Sequence, residues 1–542
     1  MSTAHELRRT TMPSTRALTG ANLIAGEEST EGPADLRQTR PATGEQGPAF
    51  HQATVAEVRA ATAAAALAAP VYAATPATTR AELLRRIATG IEGAADELVA
   101  AADEETALGE TRLRGELART NAQLRMFADL IASGAHLDAT IDTPDPSAIP
   151  PRPDLRRLQV PLGPVAVFSA SNFPFAFSVA GGDTASALAA GSPVVLKAHP
   201  AHPATSELTG RIVVEAVADS GLPAGVFALL HGAGPEVGQA LVIDPAVKAV
   251  GFTGSLRAGR ALHDAAAARP EPIPVYAEMG STNPVLLSEA AVAARAEEIA
   301  AGLAQSFTMG NGQFCTKPGI VLLPAGAAEF ESAFTSAAQQ VSPGTLLSPQ
   351  IQRGLAAQLA ETRDLDGVDV LTEVVADGGG LRSPVVVLRT DVAGYLRHEQ
   401  LREEHFGPVV VLVEYGSTED VLAALAEVPG SLTATVHAEP GEEDRLAEPI
   451  ARLVALSGRL VWNGFPTGVA VSFAQQHGGP YPSTTAAWST SVGTSAIRRF
   501  QRPVAYQAAP AAVLPSALRN ENPDGIVRLV NGRVTTDPVT AE

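Results

Sequence analysis

The chain has 542 residues, 45 % of them apolar and 18 % charged, with a formal net charge of −19 at pH 7. That length exceeds what one hydrophobic core organises, so two or three domains are expected, and the acidic balance argues against nucleic acid and anionic membrane surfaces as partners. No run of about 18 uncharged apolar residues marks a membrane span, and a single cysteine, Cys315, excludes an intramolecular disulfide and a cysteine-rich metal site.

Residues 1–17 carry Arg8, Arg9 and Arg16 without an apolar stretch of signal-peptide length, which reads as a disordered tail on a cytoplasmic protein. From Thr54 to Ala69 the pattern predicts a helix opened by a Thr54–Glu57 capping box and stopped by Pro70. A second helix is expected to start with the same device at Thr79 and Glu82. Its apolar face is Leu83, Leu84, Ile87 and Ile91, and helical character continues to about Ser133. Five prolines between Asp138 and Arg157 then break it.

From Gly163 short apolar runs alternate with helical segments. Strands are predicted at Val165–Ser169, Pro193–Lys197, Val226–Leu230 and Val247–Phe252, followed by a strand ending at Glu278 and one at Pro284–Ser288. This spacing reads as βαβ units in a parallel sheet, and the continuous apolar runs fit a sheet covered on both faces. A second αβ segment carries predicted strands near Ile320–Leu323, Pro384–Leu388, Pro408–Val413 and Arg459–Trp462, with a hinge expected near Glu278–Ser281. The polar tail from Pro510 has no assigned place.

Cys315 lies in the glycine-rich stretch Gly310-Asn311-Gly312-Gln313-Phe314-Cys315-Thr316, a context unlike a packed core and suited to a nucleophilic thiolate. Glu278 closes an apolar strand and is followed by Met279-Gly280-Ser281, the end of a parallel strand where α/β sheets place their sites. Asn172, in Ser171-Asn172-Phe173-Pro174, is either an oxyanion donor or a turn former. Lys197 ends a buried strand, with His199 and His202 beyond it, and either binds a ribose or phosphate or simply snorkels. Phe252-Thr253-Gly254-Ser255 leads from strand to helix and offers backbone N–H groups to a pyrophosphate. The run Gly232 to Gly238 departs from a dinucleotide fingerprint and reads as a turn.

Taken in order, Asn172, Lys197, Thr253-Gly254-Ser255, Glu278, Cys315 and Glu404-His405-Phe406-Gly407-Pro408 resemble the aldehyde dehydrogenase superfamily over roughly Leu18 to Pro503. The resemblance implies an α/β fold with a Rossmann-like cofactor domain (18–138 and 161–278) and a catalytic α/β domain (279–472). It also implies an oligomerisation β-hairpin arm (139–160 and 473–510), completed by a strand near Ser472–Gln476 or beyond Trp488, with 511–542 a C-terminal extension. A homodimer or homotetramer follows.

The implied roles are Cys315 as nucleophile, Glu278 as general base and Asn172 as oxyanion donor. Lys197, His199, Thr253, Gly254, Ser255, Glu404 and Phe406 would hold the cofactor, and no metal is implied. Pro200 stands where NAD-preferring members carry a glutamate, which favours NADP or dual use, with His199, His202 and Arg211 nearby as phosphate candidates.

The segments Gly464-Phe465-Pro466-Thr467-Gly468-Val469 and His477-Gly478-Gly479-Pro480-Tyr481-Pro482 are similar to a branch containing 2-oxoglutarate semialdehyde dehydrogenases and an NADP-dependent fatty aldehyde dehydrogenase. The short acidic substrate is preferred over the long apolar one, and Arg152, Arg156 and Arg157 are candidates to meet its carboxylate. Glu278 argues against a CoA-acylating or glutamyl-phosphate-reducing enzyme, which needs no hydrolytic base. A purely structural role is disfavoured because every chemical position is filled.

Overall fold

The computed structural model describes residues 17–540; the expected tail lies, but for Ala17, outside the described residues. The chain builds two seven-stranded sheets and a smaller five-stranded one. In the first sheet the spatial order is Val275–Glu278, Ala249–Thr253, Val165–Phe168, Val194–Lys197, Phe227–Leu230, Asn22–Ile24 and Glu27–Ser29. Its first five strands are parallel, and the last two form an antiparallel edge. These five run 3-2-1-4-5 in chain order, so the direction of progression reverses between Val165–Phe168 and Ala249–Thr253. Ligands of open α/β sheets bind in the crevice that such a reversal opens at the carboxyl ends of the strands.

The parallel strands are buried apart from Lys197, Thr253 and Tyr276, because helices cover both faces. The strands predicted in the two αβ segments agree with the observed ones to within three residues at each end. The capping box at Thr54 and Glu57 is present, a device that contributes about 1 kcal/mol. Pro70 does not stop this helix, which runs over Val55–Ala74 with the proline inside it. The second helix is Ala77–Gly93, entered from Pro76, so Thr79 and Glu82 lie within it and form no cap. Tertiary packing of Leu83, Leu84, Ile87 and Ile91 fixes its position more strongly than the local cap signal does.

The chain crosses from the first sheet to the second between Glu278 and Val285. The second sheet is ordered Asp369–Val374, Val385–Asp391, Val409–Tyr415, Ile320–Pro324, Val285–Leu287, Ser431–His437 and Ser457–Trp462, parallel apart from the first strand. Ser431–His437 is buried along its whole length and escaped the sequence reading, although its Thr and Val residues are good strand formers.

In the third sheet Gln501–Gln507 pairs with Leu155–Pro161, which pairs with Thr140–Asp142. The tail that sequence left unplaced adds Arg528–Val530 and Arg533–Thr535 to this sheet, and its Leu514, Leu518 and Ile526 bury against Ile141 and Leu158. Ser472–Gln476 is not a strand; it leads into the segment that buries His477. Among the described residues, no helix is long and apolar enough to cross a membrane.

Candidate active site

Cys315 sits between the sheets, held by an unusual backbone. Gly310, Asn311 and Gly312 are consecutively left-handed, with φ of +57°, +55° and +69°. A Cβ on Gly312 would lie 2.2 Å from the Gly407 carbonyl, so the cysteine loop and the Glu404–Pro408 segment pack backbone against backbone. Asn283 fastens the other side. Its amide donates to the carbonyls of Cys315 (2.8 Å) and Lys317 (2.9 Å), while its Oδ1 accepts from Thr433 and Ser281. Ser281 also accepts from the Leu432 N–H, which gives the serine at that position a structural task.

Glu278 ends its strand beside Thr253 and is buried. Its Oε1 lies 3.0 Å from His477 Nε2, and its Oε2 accepts from Ser491 Oγ at 2.6 Å. His477 Nε2 is also 3.7 Å from Cys315 Sγ. A carboxylate oxygen of Glu278, the Cys315 sulfur and a ring nitrogen of His477 thus all lie within 4.8 Å of one another.

Burial alone would raise the Glu278 pKa, but the His477 charge and hydrogen bond and the Ser491 hydroxyl bring it below the ordinary carboxylate value. Burial first, and the Glu278 charge second, push the Cys315 thiol well above its ordinary value. The resting pair is therefore a carboxylate beside a neutral thiol. In the sequence His477 stands out only as part of a branch-like motif, and its glycine-proline segment does not say what faces it.

Asn172 follows the strand Val165–Phe168 at the point of reversal. Its amide donates to the Gln313 carbonyl at 2.9 Å, which fixes its orientation and leaves a second N–H. Asn172 and Cys315 both line a cleft of ≈ 1000 Å³, together with all seven sequence-predicted cofactor residues: Lys197, His199, Thr253, Gly254, Ser255, Glu404 and Phe406.

Lys197 Nζ donates to the Gly232 carbonyl at 2.8 Å, and burial brings its pKa down to about 8. Ser255 caps the helix Leu256–Ala267, and Gly234 opens the helix Pro235–Ile243 into the same cleft. The Gly232–Gly238 run is therefore more than a turn. Two helix N-termini and a lysine form a donor set that fits a dinucleotide diphosphate. Glu404 is half-buried near the buried Lys317, which sequence did not single out. Burial raises the Glu404 pKa to about 7 against the opposing pull of Lys317.

Two expectations fail around this cleft. His202 is buried, with its ring nitrogens on the Ala170 carbonyl and Ser206, and Arg211 is engaged by Glu207 and Glu28. Neither lines the cleft, whereas Arg37, Arg257 and Arg353 do.

A second cavity of ≈ 210 Å³ also opens onto Cys315. It is lined by Phe173, Phe177, Phe314, Thr467, Val469, His477 and the helix residues Arg112, Gly115, Glu116 and Arg119. Cys315 is the one residue common to both linings. Arg152, Arg156 and Arg157 are elsewhere, tied to Thr143, Asp154 and Asp138 in and around the five-stranded sheet.

Residues 28–499 match the model of the aldehyde dehydrogenase family. The chain is 44 % identical over 527 residues to alpha-ketoglutaric semialdehyde dehydrogenase 2 of Azospirillum brasilense, covering 95 % of this chain and 99 % of the relative. It is 42 % identical over 494 residues to an alpha-ketoglutaric semialdehyde dehydrogenase of Acinetobacter baylyi, covering 90 % and 93 %. The fold matches an aldehyde dehydrogenase of Pseudomonas syringae, solved with NAD+ and octanal, at a TM-score of 0.77 and 24 % identity over 91 % of this chain and 97 % of that one. With a thiol between two cavities, a buried carboxylate beside it and a family match across most of its length, this chain belongs to the aldehyde dehydrogenase family.

Proposed function

We propose that this enzyme oxidises 2-oxoglutarate semialdehyde to 2-oxoglutarate through a thioester on Cys315, with NADP preferred and NAD as an alternative. The observation that carries the reading is the position of Cys315, exposed at once to a dinucleotide-sized cleft and to a small separate cavity, with Glu278 and His477 at its side.

Glu278, held as a carboxylate by His477 and Ser491, accepts the proton of the Cys315 thiol. The thiolate attacks the aldehyde carbon, and the resulting oxyanion is met by the free N–H of the Asn172 amide and the backbone N–H of Cys315. The nicotinamide cofactor, when bound, supplies the hydride acceptor that turns this adduct into a thioester. Glu278 passes the thiol proton to solvent and, as a carboxylate again, takes a proton from the water that hydrolyses the thioester and returns it to the Cys315 sulfur, releasing the acid and restoring the thiol. Lys197 and Glu404 would hold the riboses, Thr253, Gly254 and Ser255 the diphosphate, His199 the adenosine end and Phe406 the nicotinamide end. Pro200 lines the cleft and offers no carboxylate to accept from ribose hydroxyls or to repel a 2′-phosphate, which supports NADP.

The relatives at 44 % and 42 % identity favour the keto-acid substrate over a fatty aldehyde. Thr467, Val469 and His477, from the two branch-like motifs, all line the smaller cavity. We further assign the first sheet to cofactor binding and the five-stranded sheet to self-association as a homodimer or homotetramer. Exposed Phe473 and Trp488, at 78 % and 84 % relative exposure, support this association.

The test is an assay of purified enzyme with 2-oxoglutarate semialdehyde, NADP or NAD, with and without CoA. The expected result is acid formation independent of CoA. Cys315→Ala is expected to abolish turnover and retain cofactor affinity; turnover by that variant would refute the mechanism.

A further inference from the structure

We infer that Arg119, assisted by Arg112, is the specificity element for an anionic substrate end: it receives the carboxylate of a short aldehyde whose carbonyl lies at Cys315. The inference deepens the proposed reaction and rests on it for the position of the aldehyde.

The helix Glu110–Ala132 turns Leu113, Leu117, Leu124 and Phe127 into the core. Arg112, Glu116 and Arg119 recur at i, i+4 and i+7, so they share one face, and that face lines the smaller cavity. Both guanidiniums are held by weakly competing partners. Arg112 Nη2 donates to the Asn172 carbonyl at 2.7 Å, and Arg119 Nε reaches the Val469 carbonyl at 3.4 Å. Arg112 Nη1 and both terminal nitrogens of Arg119 are buried without any partner. Leaving charged donors unpaired in a buried site is costly, and a ligand that accepts from them recovers that cost.

The nearby Glu116 does not satisfy them. Its Oε1 accepts from the Phe175 and Ala176 N–H groups, and its Oε2 is itself unpartnered. Two guanidiniums against one carboxylate leave the cavity wall cationic in a protein whose net charge is −19. Long-range attraction of an acidic substrate is therefore unfavourable, and recognition has to be local.

The aromatic walls set where the charge sits. The Arg112 guanidinium carbon lies 5.2 and 4.8 Å from the Phe173 and Phe314 ring centres, and that of Arg119 lies 5.4 Å from Phe177. Stacked in this way, Arg119 has its planar fork held for two parallel hydrogen bonds to a carboxylate. Burial lowers the pKa of both arginines against the opposing charge of Glu116, and the Glu278 charge also acts on Arg119, which places it within electrostatic reach of the catalytic groups. With a cavity of only ≈ 210 Å³ between thiol and guanidinium, the fitting ligand is a chain of a few carbons with an aldehyde at one end and a carboxylate at the other.

The experiment compares wild type, Arg119→Gln and Arg119→Lys in kcat/KM for 2-oxoglutarate semialdehyde and for pentanal, a neutral aldehyde of equal length. Calorimetric binding of glutarate is measured alongside. In R119Q the acidic substrate should lose about a hundredfold, mainly in KM, with pentanal nearly unchanged, glutarate binding weakened in proportion, and partial recovery in R119K. Equal losses on both aldehydes by a folded variant, or unchanged glutarate binding, would overturn the inference.

If R119Q does not fold, inhibition of wild-type pentanal oxidation decides. Glutarate competing at least about tenfold better than 1,5-pentanediol supports the clamp, and equal competition overturns it. A wild type that oxidises no aldehyde yet binds glutarate refutes the proposed reaction alone. One that oxidises pentanal but does not bind glutarate refutes the clamp alone.

Discussion

The two cavities that meet at Cys315 are built in opposite ways. The larger is walled largely by strand ends, glycines and helix starts, so its ligand faces backbone N–H groups held in place by the sheet. The smaller is walled by side chains, with three phenylalanines and two arginines on elements distant in sequence. Backbone donors serve a cofactor common to many substrates, because they depend on fold rather than residue identity. Side chains serve discrimination, because one exchange alters charge and volume at a single point.

Glu278 belongs to neither lining and, in the proposed mechanism, acts on the residue they share, so after loss of Cys315 itself its removal should produce the largest effect and spare both cavities. In Glu278→Gln, kcat should fall by about 10³-fold with the cofactor Kd unchanged. Stopped-flow rates with parallel fluorescence titration check this, and a change in Kd of similar size would show that the carboxylate holds the cofactor cleft together instead.

A smaller effect should come from His477, which lies on the side-chain-built side. Without it, the raising effect of burial on Glu278 is opposed by Ser491 and the thiol alone, so the Glu278 pKa rises. Activity that needs the carboxylate is then lost as pH falls through the raised value and regained above it. His477→Ala should therefore lower kcat/KM by about tenfold at pH 7, with the loss shrinking toward pH 9. A pH–rate profile displaced downward without change of shape would contradict this account.

The smallest effect is on the backbone-built side. Lys197 has a pKa of about 8, so it is mostly protonated at pH 7 and mostly neutral at pH 9. Cofactor affinity should drop several-fold between those values as the charged donor disappears, and Lys197→Met should bind weakly with that pH dependence removed. Isothermal titration at both pH values reads it, and an unchanged slope in the variant would mean that another group titrates.

The same contrast explains which parts of the site were legible. Seven cofactor-side candidates line the cleft because strand ends and glycine turns declare themselves locally, through apolar runs and breakers, whereas the phosphate candidates His202 and Arg211 do not. The candidates for the substrate carboxylate in the sequence, Arg152, Arg156 and Arg157, lie in and around the five-stranded sheet instead. Arg112 and Arg119 looked like the polar face of an amphipathic helix, and nothing in a periodic pattern says which polar face borders a cavity. Pro70 and the Thr79–Glu82 pair misled for a related reason. Local stop and start signals are weak beside the burial of a whole helix face.

By itself, the sequence determined the alternation of strands and helices and marked the candidate nucleophile, the candidate carboxylate beside it and the loops that line the larger cleft. Each is written within a few neighbouring residues. Only the tertiary structure decided that His477 meets Glu278 across 199 positions, that Ser491 does so across 213, and that the tail extends the sheet formed by residues 140–161. These depend on how distant segments pack, and packing is a sum over many weak contacts that no short stretch of chain contains.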